Sequence, residues 1–362
     1  MSSADVEMKG GGYYSQATRG AKDVIDGVTP LVLAAIDRMP LSERPFVLAD
    51  LGAADGGTSL DLVAAVADHV DPRELAVIYT DQPRNDYNAL FRIVHGLTAL
   101  PSPLADRERL RVLASATSFY RQVLPTGSLD LAFSATAMQW LSAKPVDLPD
   151  AVHSVRATGS EHAAFAAQAR SDWEAILSHR AAELVPGGRF VSITFGIDEQ
   201  GRFLGNTGGV SMHDTFHALW VELADEGVIT RAEQLRMTLP QYYRTVEEFT
   251  APLEDPAGGP YRAGLRLEDV ATAVVPCPFA TAFAEHRDAA RFAREYVPTL
   301  RSWTEGTFAA ALDATRQVVE RTAIMDAYYG RYEQRVRDAP AGHGMSYVHV
   351  HLVAAKVSRP SA

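Results

Sequence analysis

Cysteine is almost missing from this chain: Cys277 is the single thiol in 362 residues. One thiol cannot close an intrachain disulfide, so the fold must be held by its core, and a reducing, cytoplasmic setting is expected. Positive charge is also in deficit. With 34 Lys and Arg against 45 Asp and Glu, the formal charge is −11, which excludes a general electrostatic attraction to nucleic acid or anionic lipid. No uncharged apolar run approaches the roughly 20 residues needed to cross a bilayer. The first residues, Met1-Ser-Ser-Ala-Asp-Val-Glu-Met8, show no basic stretch followed by an apolar one, so neither a membrane span nor an export signal is expected. Gly-x-Ser-x-Gly and Walker loops are absent too, which lowers the expectation of hydrolase or kinase chemistry. Internal repeats and low-complexity tracts are not apparent. What remains is ordinary globular composition, 47% hydrophobic and 22% charged, in a chain longer than the usual domain of roughly 100–200 residues. One large α/β domain with a sizeable insertion, or two domains, is expected.

The chain is organised around Phe46-Val-Leu-Ala-Asp-Leu-Gly-Ala-Ala-Asp-Gly-Gly-Thr58. An apolar run ending in an acid and a glycine-rich turn reads as a buried parallel strand leading into a ligand-binding loop and a helix. Asp50, Gly52, Gly56 and Gly57 are its working residues, because glycine lets the backbone turn sharply and lets a ligand approach the peptide groups. The spacing is not the dinucleotide fingerprint Gly-x-Gly-x-x-Gly. It resembles the first motif of S-adenosylmethionine-dependent methyltransferases. A second strand, Leu75 to Asp81, ends in an acid placed to accept hydrogen bonds from ribose hydroxyls, with a helix cap as the structural alternative. Arg109–Ala116 reads as a third strand followed by Thr117-Ser-Phe-Tyr120, where Ser118 can bond adenine and Phe119 can cover its face. Leu129–Ser134 is a fourth strand, delivering Ala135-Thr-Ala-Met-Gln-Trp-Leu-Ser142 to the same rim.

Before and after this series the pattern changes. Met8-Lys-Gly-Gly-Gly-Tyr-Tyr-Ser15 reads as a frayed terminus or as a lid closing with Tyr13 and Tyr14, and it precedes a helical pattern from Val24 to Ile36 interrupted by Pro30. An amphipathic helix from Glu161 to Leu184 ends in Pro186-Gly-Gly188 and a fifth strand, Arg189–Gly196. Residues 197–335 are mostly helical, broken by Pro252–Pro260 and an amphipathic strand from Leu265 to Val275. Met345–Ala355 is a β-branched-rich strand returning to the sheet. His213 with His217, and His349 with His351, have ligand-like spacing, but no third ligand is identifiable, so no metal site is expected.

Taken together the motifs resemble the SABATH methyltransferases, the salicylate, benzoate and theobromine family, over nearly the whole chain. Met8-Lys-Gly-Gly, Ala49-Asp-Leu-Gly-Ala-Ala-Asp-Gly, Thr80-Asp-Gln-Pro-Arg-Asn-Asp-Tyr-Asn, Ser118-Phe-Tyr, Gln139-Trp-Leu-Ser and Glu183-Leu-Val-Pro-Gly-Gly-Arg occur in the family's order. The resemblance implies a Rossmann-like class I methyltransferase sheet (α/β) with an inserted, mostly helical cap. It divides the chain into an N-terminal lid and helix (1–40), an S-adenosylmethionine-binding domain (41–196), a substrate cap (197–335) and a returning strand (336–362). It places Tyr14, Thr18, Asp50, Gly52, Thr58, Asp81, Gln82, Ser118, Phe119 and Ser134 at cofactor-binding positions, Thr18 where a Ser contacts the methionine part. Trp140 falls where an indole N–H holds the acceptor carboxylate, and Gln139 sits beside it at a substrate-lining position, able to donate a second hydrogen bond. A small-molecule carboxylic acid is the implied partner, and a homodimer the implied assembly.

Two departures stand out. Counting seven residues on from Tyr14 reaches Ala21, where the family usually has a Gln that completes the carboxylate clamp; Gln16 or Gln139 is the available substitute. Leu235 and Thr238 replace the Asp and Asn that bind magnesium in some plant members, so no metal requirement is expected. The expected reaction is in-line displacement of a methyl group from the sulfonium onto a carboxylate oxygen, which needs no general base because carboxylic acids titrate near 4. A ring nitrogen or hydroxyl acceptor is the alternative, and so is a cofactor-binding protein without transfer activity. Met212, Phe216, Trp220 and Tyr243 would suit an aromatic or aliphatic acceptor tail and would equally suit a core.

Overall fold

The computed structural model describes Ser15 and residues 18–40 and 42–357; Tyr14, Gln16 and the rest of the segment preceding Ser15 lie outside them. Its centre is β1 (Phe46–Leu51), every residue of which is buried except Val47. Alternate side chains enter two cores: Phe46 and Leu48 join the one covered by helix α1 (Arg19–Asp37), and Ala49 and Leu51 join the one filled by Trp173, Ile176 and Leu177. A strand buried on both faces must be apolar throughout, which is the pattern read from the sequence. To one side lie β2 (Leu75–Thr80) and β3 (Leu110–Ser115), and to the other β4 (Leu129–Ala135) and β5 (Leu184–Ile197), all parallel. Then β8 (Tyr347–Lys356) runs antiparallel between β5 and β7 (Leu265–Val275). The strand order is β3-β2-β1-β4-β5-β8-β7, with the two-residue β6 (Arg244–Thr245) pairing beside β5. The order reverses at β1 and β4, and an open α/β sheet binds its ligand at the carboxyl ends of the strands flanking such a switch.

Two details differ from the sequence reading. Helix α1 runs unbroken through Pro30. The ring removes one donor, but Asp26, whose carbonyl it would have satisfied, lies on the exposed side and can bond water. Pro186-Gly-Gly188 is not a turn ahead of β5 but a bulge inside it: the pairing jumps from Leu129↔Leu184 to Leu131↔Arg189.

Helix α2 (Leu60–Val70) follows the glycine turn after β1, and α3 (Tyr87–Val94) follows β2. Helix α4 (Gly159–Glu183) buries Phe165, Ala169, Trp173, Ile176 and Leu177 together with three charged residues, Asp172, Arg180 and Glu183. Segment 197–335 gives β6 and β7 to the sheet and otherwise supplies helices, of which Met212–Asp225, Ala289–Ala311 and Val318–Asp338 interlock through aromatic rings. Trp220 meets Phe308 at 5.0 Å and Phe308 meets Tyr328 at 4.5 Å between ring centroids. Met212, Phe216 and Trp220 are therefore buried in that helical layer. No helix among the described residues is long and apolar enough to cross a membrane.

Candidate active site

Gly52 leaves β1 with φ +81°, a conformation natural to glycine, and a Cβ there would lie 2.5 Å from the Cβ of Ala137. The turn also forces Ala54 to φ 50° before Gly56 at φ 73°. Its amides meet the acid at the end of β2: Ala54 N–H donates to Asp81 Oδ2 at 2.8 Å and Gln82 N–H to Asp81 Oδ1 at 2.7 Å. Asp81 is thereby fixed with lone pairs to spare for ligand hydroxyls. Asn85 donates to the Ala54 carbonyl at 2.7 Å, tying the two strand ends together.

These groups open onto a cleft enclosing about 1020 Å³ of empty space, part of it open to solvent, lined by Asp50, Gly52, Thr58, Asp81, Gln82, Ser118, Phe119 and Trp140 among others. Asp50 is deeply buried. Loss of solvent, reinforced by the charge of Asp81 and opposed by a 2.7 Å hydrogen bond from Ser59 Oγ, pushes its pKa up to about 6. Asp81 is raised as well, by the same loss of solvent against its two backbone donors. A buried and a half-buried carboxylate, a glycine cradle that a Cβ would fill and the Phe119 ring suit a nucleoside whose hydroxyls donate to the acids.

A second, smaller pocket of about 410 Å³ adjoins the cleft, and Thr136 and Trp140 line both. Its other walls are Thr18, Ala21, Gln139, Phe195, Leu204, Gln241, Trp303, Met345 and Tyr347. Thr136 sits at φ 53°, an unusual conformation for a β-branched residue and one that concentrates at functional sites. It is held by donation to the Ile193 carbonyl at 2.8 Å, while its own carbonyl accepts Gln139 Nε2 at 2.8 Å. An isolated antiparallel bridge joins Trp140 to Gln241.

Buried arginines brace both rims. Arg180 pairs with Glu183 at 2.6 Å and donates to the carbonyls of Phe119 and Arg121, each at 3.0 Å, while Glu183 accepts from Val123 and Leu124 N–H. The charges that α4 buries thus fix the loop carrying Ser118 and Phe119. Arg244 donates to the Met138 carbonyl at 3.0 Å and the Ala169 carbonyl at 2.6 Å, with Trp173 and Phe249 against its guanidinium.

Most of the sequence-selected residues converge here, but not in one place. Asp50, Gly52, Thr58, Asp81, Gln82, Ser118 and Phe119 line the cleft, Thr18 and Gln139 the adjoining pocket, and Trp140 both. Ser134 lines neither: strand alternation turns it inward, where its hydroxyl donates to the Leu51 carbonyl at 2.8 Å. Tyr243, considered for the acceptor tail, is buried against His153 and Phe203. Of segment 197–335, it is Leu204, Gln241 and Trp303 that reach the pocket. Among the described residues no cluster of three or more His, Cys, Asp or Glu could hold a metal ion. The sequence reading missed Ala54, Asn85, Thr136, Gln241, Arg180 and Arg244. Ala54, Asn85 and Thr136 lay inside the motifs but were not singled out; nothing local marks Gln241, Arg180 or Arg244.

The fold corresponds to a solved structure, loganic acid methyltransferase with SAH, at TM-score 0.76 and 22% identity, covering 98% of this chain and 99% of that one. The molecule is a class I S-adenosylmethionine-dependent methyltransferase in architecture. Residues 4–355 match the model of the family described as SAM dependent carboxyl methyltransferase, so the chain belongs to that family, the SABATH enzymes, and S-adenosylmethionine is its cofactor. An O-methyltransferase, acrG, of Aspergillus aculeatus is 28% identical over 361 residues, spanning 93% of this chain and 92% of its own. Loganic acid O-methyltransferase of Catharanthus roseus is 26% identical over 275 residues (68% and 71%), and indole-3-acetate O-methyltransferase 1 of Arabidopsis thaliana 26% over 231 (58% and 60%).

Proposed function

We propose that the enzyme converts a small carboxylic acid bearing an apolar ring or chain into its methyl ester. The observation that carries the choice of acceptor is the make-up of the second pocket: the described residues of its walls include no Lys, Arg, His, Asp or Glu. A phenol, alcohol or protonated nitrogen would need a base to take its proton, whereas a carboxylic acid arrives ionised at neutral pH. His153, His213 and His349 are buried outside the lining, with pKa values pushed below the usual imidazole range by loss of solvent.

S-adenosylmethionine supplies a methyl group on a positively charged sulfur. In our reading Asp50, Asp81 and Gln82 hold its polar groups, Ser118 and Phe119 its base, and Gly52, Thr58 and Thr18 the remainder, with Tyr14 contributing from the N-terminal motif. Thr136 and Trp140, common to both spaces, keep donor and acceptor in contact. The Trp140 indole N–H holds the acceptor carboxylate, and because the anion becomes a neutral ester, a neutral donor avoids overstabilising the ground state. Phe195, Leu204, Trp303 and Met345 exclude water around the reacting charges. The relatives named for loganic acid and indole-3-acetate support a small carboxylic acid as acceptor. We also propose that the helices of 197–335 act as a substrate cap and that the enzyme is a cytoplasmic homodimer, by family resemblance.

The test is transfer of labelled methyl from S-adenosylmethionine across medium-chain fatty acids, benzoates, indole acids and xanthines, with Trp140→Ala alongside. Esters from one acid class, lost in the variant, are expected. Label found only on nitrogen or hydroxyl acceptors, or cofactor binding with no transfer, contradicts the proposal.

A further inference from the structure

The acceptor pocket has a gap in its wall, and two orphaned atoms, one on a wall residue and one on a buried imidazole outside the lining, bear on how that gap is filled. The gap is Ala21, where the family resemblance expects the second carboxylate donor. It lies in the pocket wall, 3% exposed, and offers only a methyl group. Gln139 is less well placed for the role: one of the two N–H groups of its Nε2 is held by the Thr136 carbonyl, which fixes the amide, and its buried amide oxygen has no partner. An amide oxygen facing a carboxylate repels it. Thr18 and Tyr347, also in the wall, are engaged in interactions of their own.

Gln241 is placed differently. Its backbone bridges to Trp140, and both side chains line the pocket. It is 2% exposed, and its Oε1 is buried with no hydrogen bond. Segment 152–154 runs alongside it, Ser154 donating its hydroxyl to the Gln241 carbonyl at 2.8 Å and Val152 accepting from Leu239 N–H at 2.8 Å, and this brings to the amide His153, a fully buried imidazole whose Nε2 also lacks a hydrogen bond. The tautomer of His153 is fixed locally. Val155 N–H donates to Nδ1 at 3.1 Å, so Nδ1 carries no proton and Nε2 must carry it in the neutral ring. The ring stacks on His213 at 4.2 Å and meets Tyr243 at a tilt at 4.4 Å, and His213 Nε2 shares a 3.2 Å hydrogen bond with the Tyr243 hydroxyl. A neutral Nε2–H facing an amide favours the orientation that presents Oε1 to the imidazole. The NH2 group of Gln241 is then turned to the pocket.

We infer that Gln241 is the second donor to the acceptor carboxylate, taking the place that Ala21 leaves vacant, and that His153 is the positioning residue that turns its amide. This rests on the carboxyl methyltransferase reading. It gives the acceptor two neutral donors, an indole and an amide, side by side on one bridge, with no cation among the described residues of the wall. A carboxylic acid satisfies both N–H groups, and a single ring nitrogen does not, so Gln241 discriminates between the two acceptor classes.

The experiment measures kcat and KM for the best acid of the panel, with S-adenosylhomocysteine affinity by calorimetry as the control for folding and for the neighbouring cleft. Gln241→Leu should raise the KM for the acid about tenfold or more, the loss of a hydrogen bond to a charged group, with cofactor-product affinity within about twofold. Gln241→Glu should be worse, since it sets a carboxylate against a carboxylate. His153→Phe should raise the same KM, His153→Gln should restore most of it by returning a donor to Oε1, and His153→Phe combined with Gln241→Leu should be no worse than Gln241→Leu alone. A merely structural histidine would give additive losses and no rescue. If wild-type enzyme esterifies the acid and Gln241→Leu keeps its KM, the inference is wrong while the carboxyl reading stands; Tyr347→Phe measured in parallel then shows whether that hydroxyl is the donor instead. If wild-type enzyme esterifies no acid, the underlying reading is what has failed.

Discussion

The cofactor cleft and the acceptor pocket share Thr136 and Trp140, yet they are assembled in opposite ways. The cleft is made mainly from the ends of adjacent parallel strands and the turns that leave them: 50–58 after β1, 81–85 after β2, 118–120 after β3 and 135–140 after β4. Each piece carries its chemistry within a few residues of a buried strand, so sheet topology alone gathers them. The acceptor pocket draws on α1, the rim beyond β4, the end of β5, the loop at Leu204, the bridge at Gln241, the helix bearing Trp303 and the start of β8. Here single residues from distant segments meet, and only tertiary packing brings them together. A binding site for one fixed cofactor can therefore be conveyed by local motifs, while a site that selects among acids is a property of the whole fold.

This contrast predicts that damage to the cleft acts on cofactor affinity and stability, while damage to the pocket acts on acid KM. The largest effect is expected from Arg180→Met, which strands Glu183 in the core and frees the carbonyls of Phe119 and Arg121. Removing one partner of a buried ion pair costs about 3–5 kcal/mol, read as a lower urea midpoint with weakened cofactor binding. Gly52→Val comes next. Its φ of +81° and the 2.5 Å approach to Ala137 should cost about 3 kcal/mol, or about a hundredfold in S-adenosylhomocysteine affinity by calorimetry.

Asp50→Asn should move stability and binding in opposite directions. The folded carboxyl titrates at about 6, above its ordinary 3.8, so the native state holds the proton more tightly than the unfolded chain. The fold bears no cost from this group below about pH 4, loses stability as pH rises between the two values, and bears the full cost, up to about 3 kcal/mol, above pH 6. The amide keeps an acceptor for Ser59. The ligand-free variant should therefore melt higher than wild type at pH 7.5 and equally at pH 4, while binding S-adenosylhomocysteine more weakly and without the wild-type rise in affinity through pH 6. The smallest effect is expected at Ser15, whose N–H donates to Asp55 Oδ2 at 3.0 Å, whose hydroxyl donates to Asp55 Oδ1, and which sits over Gly57. Ser15→Ala should lower cofactor affinity by about 1 kcal/mol or less, visible as a KM for S-adenosylmethionine raised a few-fold with acid KM unchanged.

Legibility in the sequence followed the same division. The buried strands β1, β2 and β4, the glycine turn and the place of Asp81 at the end of β2 were readable because a strand buried on both faces is a continuous apolar run, closed after β1 by a glycine and after β2 by an acid. Ser134 was placed at the ligand by its motif, but alternation along β4 turns it toward Leu51. Pro30 looked like a break and is not, because the carbonyl it orphans faces solvent. Arg180, Glu183 and Asp172 read as ordinary polar positions of a long helix; their burial depends on loop groups up to about 60 residues away in sequence, such as Val123 N–H and Ser142. Met212, Phe216 and Trp220 could serve pocket or core equally by type, and helix packing put them in the core. Gln241 has no local signal at all, since its significance lies in the bridge to Trp140 and the imidazole beside it.

The central claim is that an ionised carboxylate oxygen attacks the methyl group directly. The most direct measurement is mass spectrometry of the product formed from a carboxylic acid labelled with heavy oxygen at both carboxyl positions and S-adenosylmethionine carrying a labelled methyl. A methyl ester that carries the labelled methyl and retains both heavy oxygens is the predicted result. Labelled methyl on nitrogen or on a hydroxyl, or an ester that has lost one heavy oxygen, would contradict it.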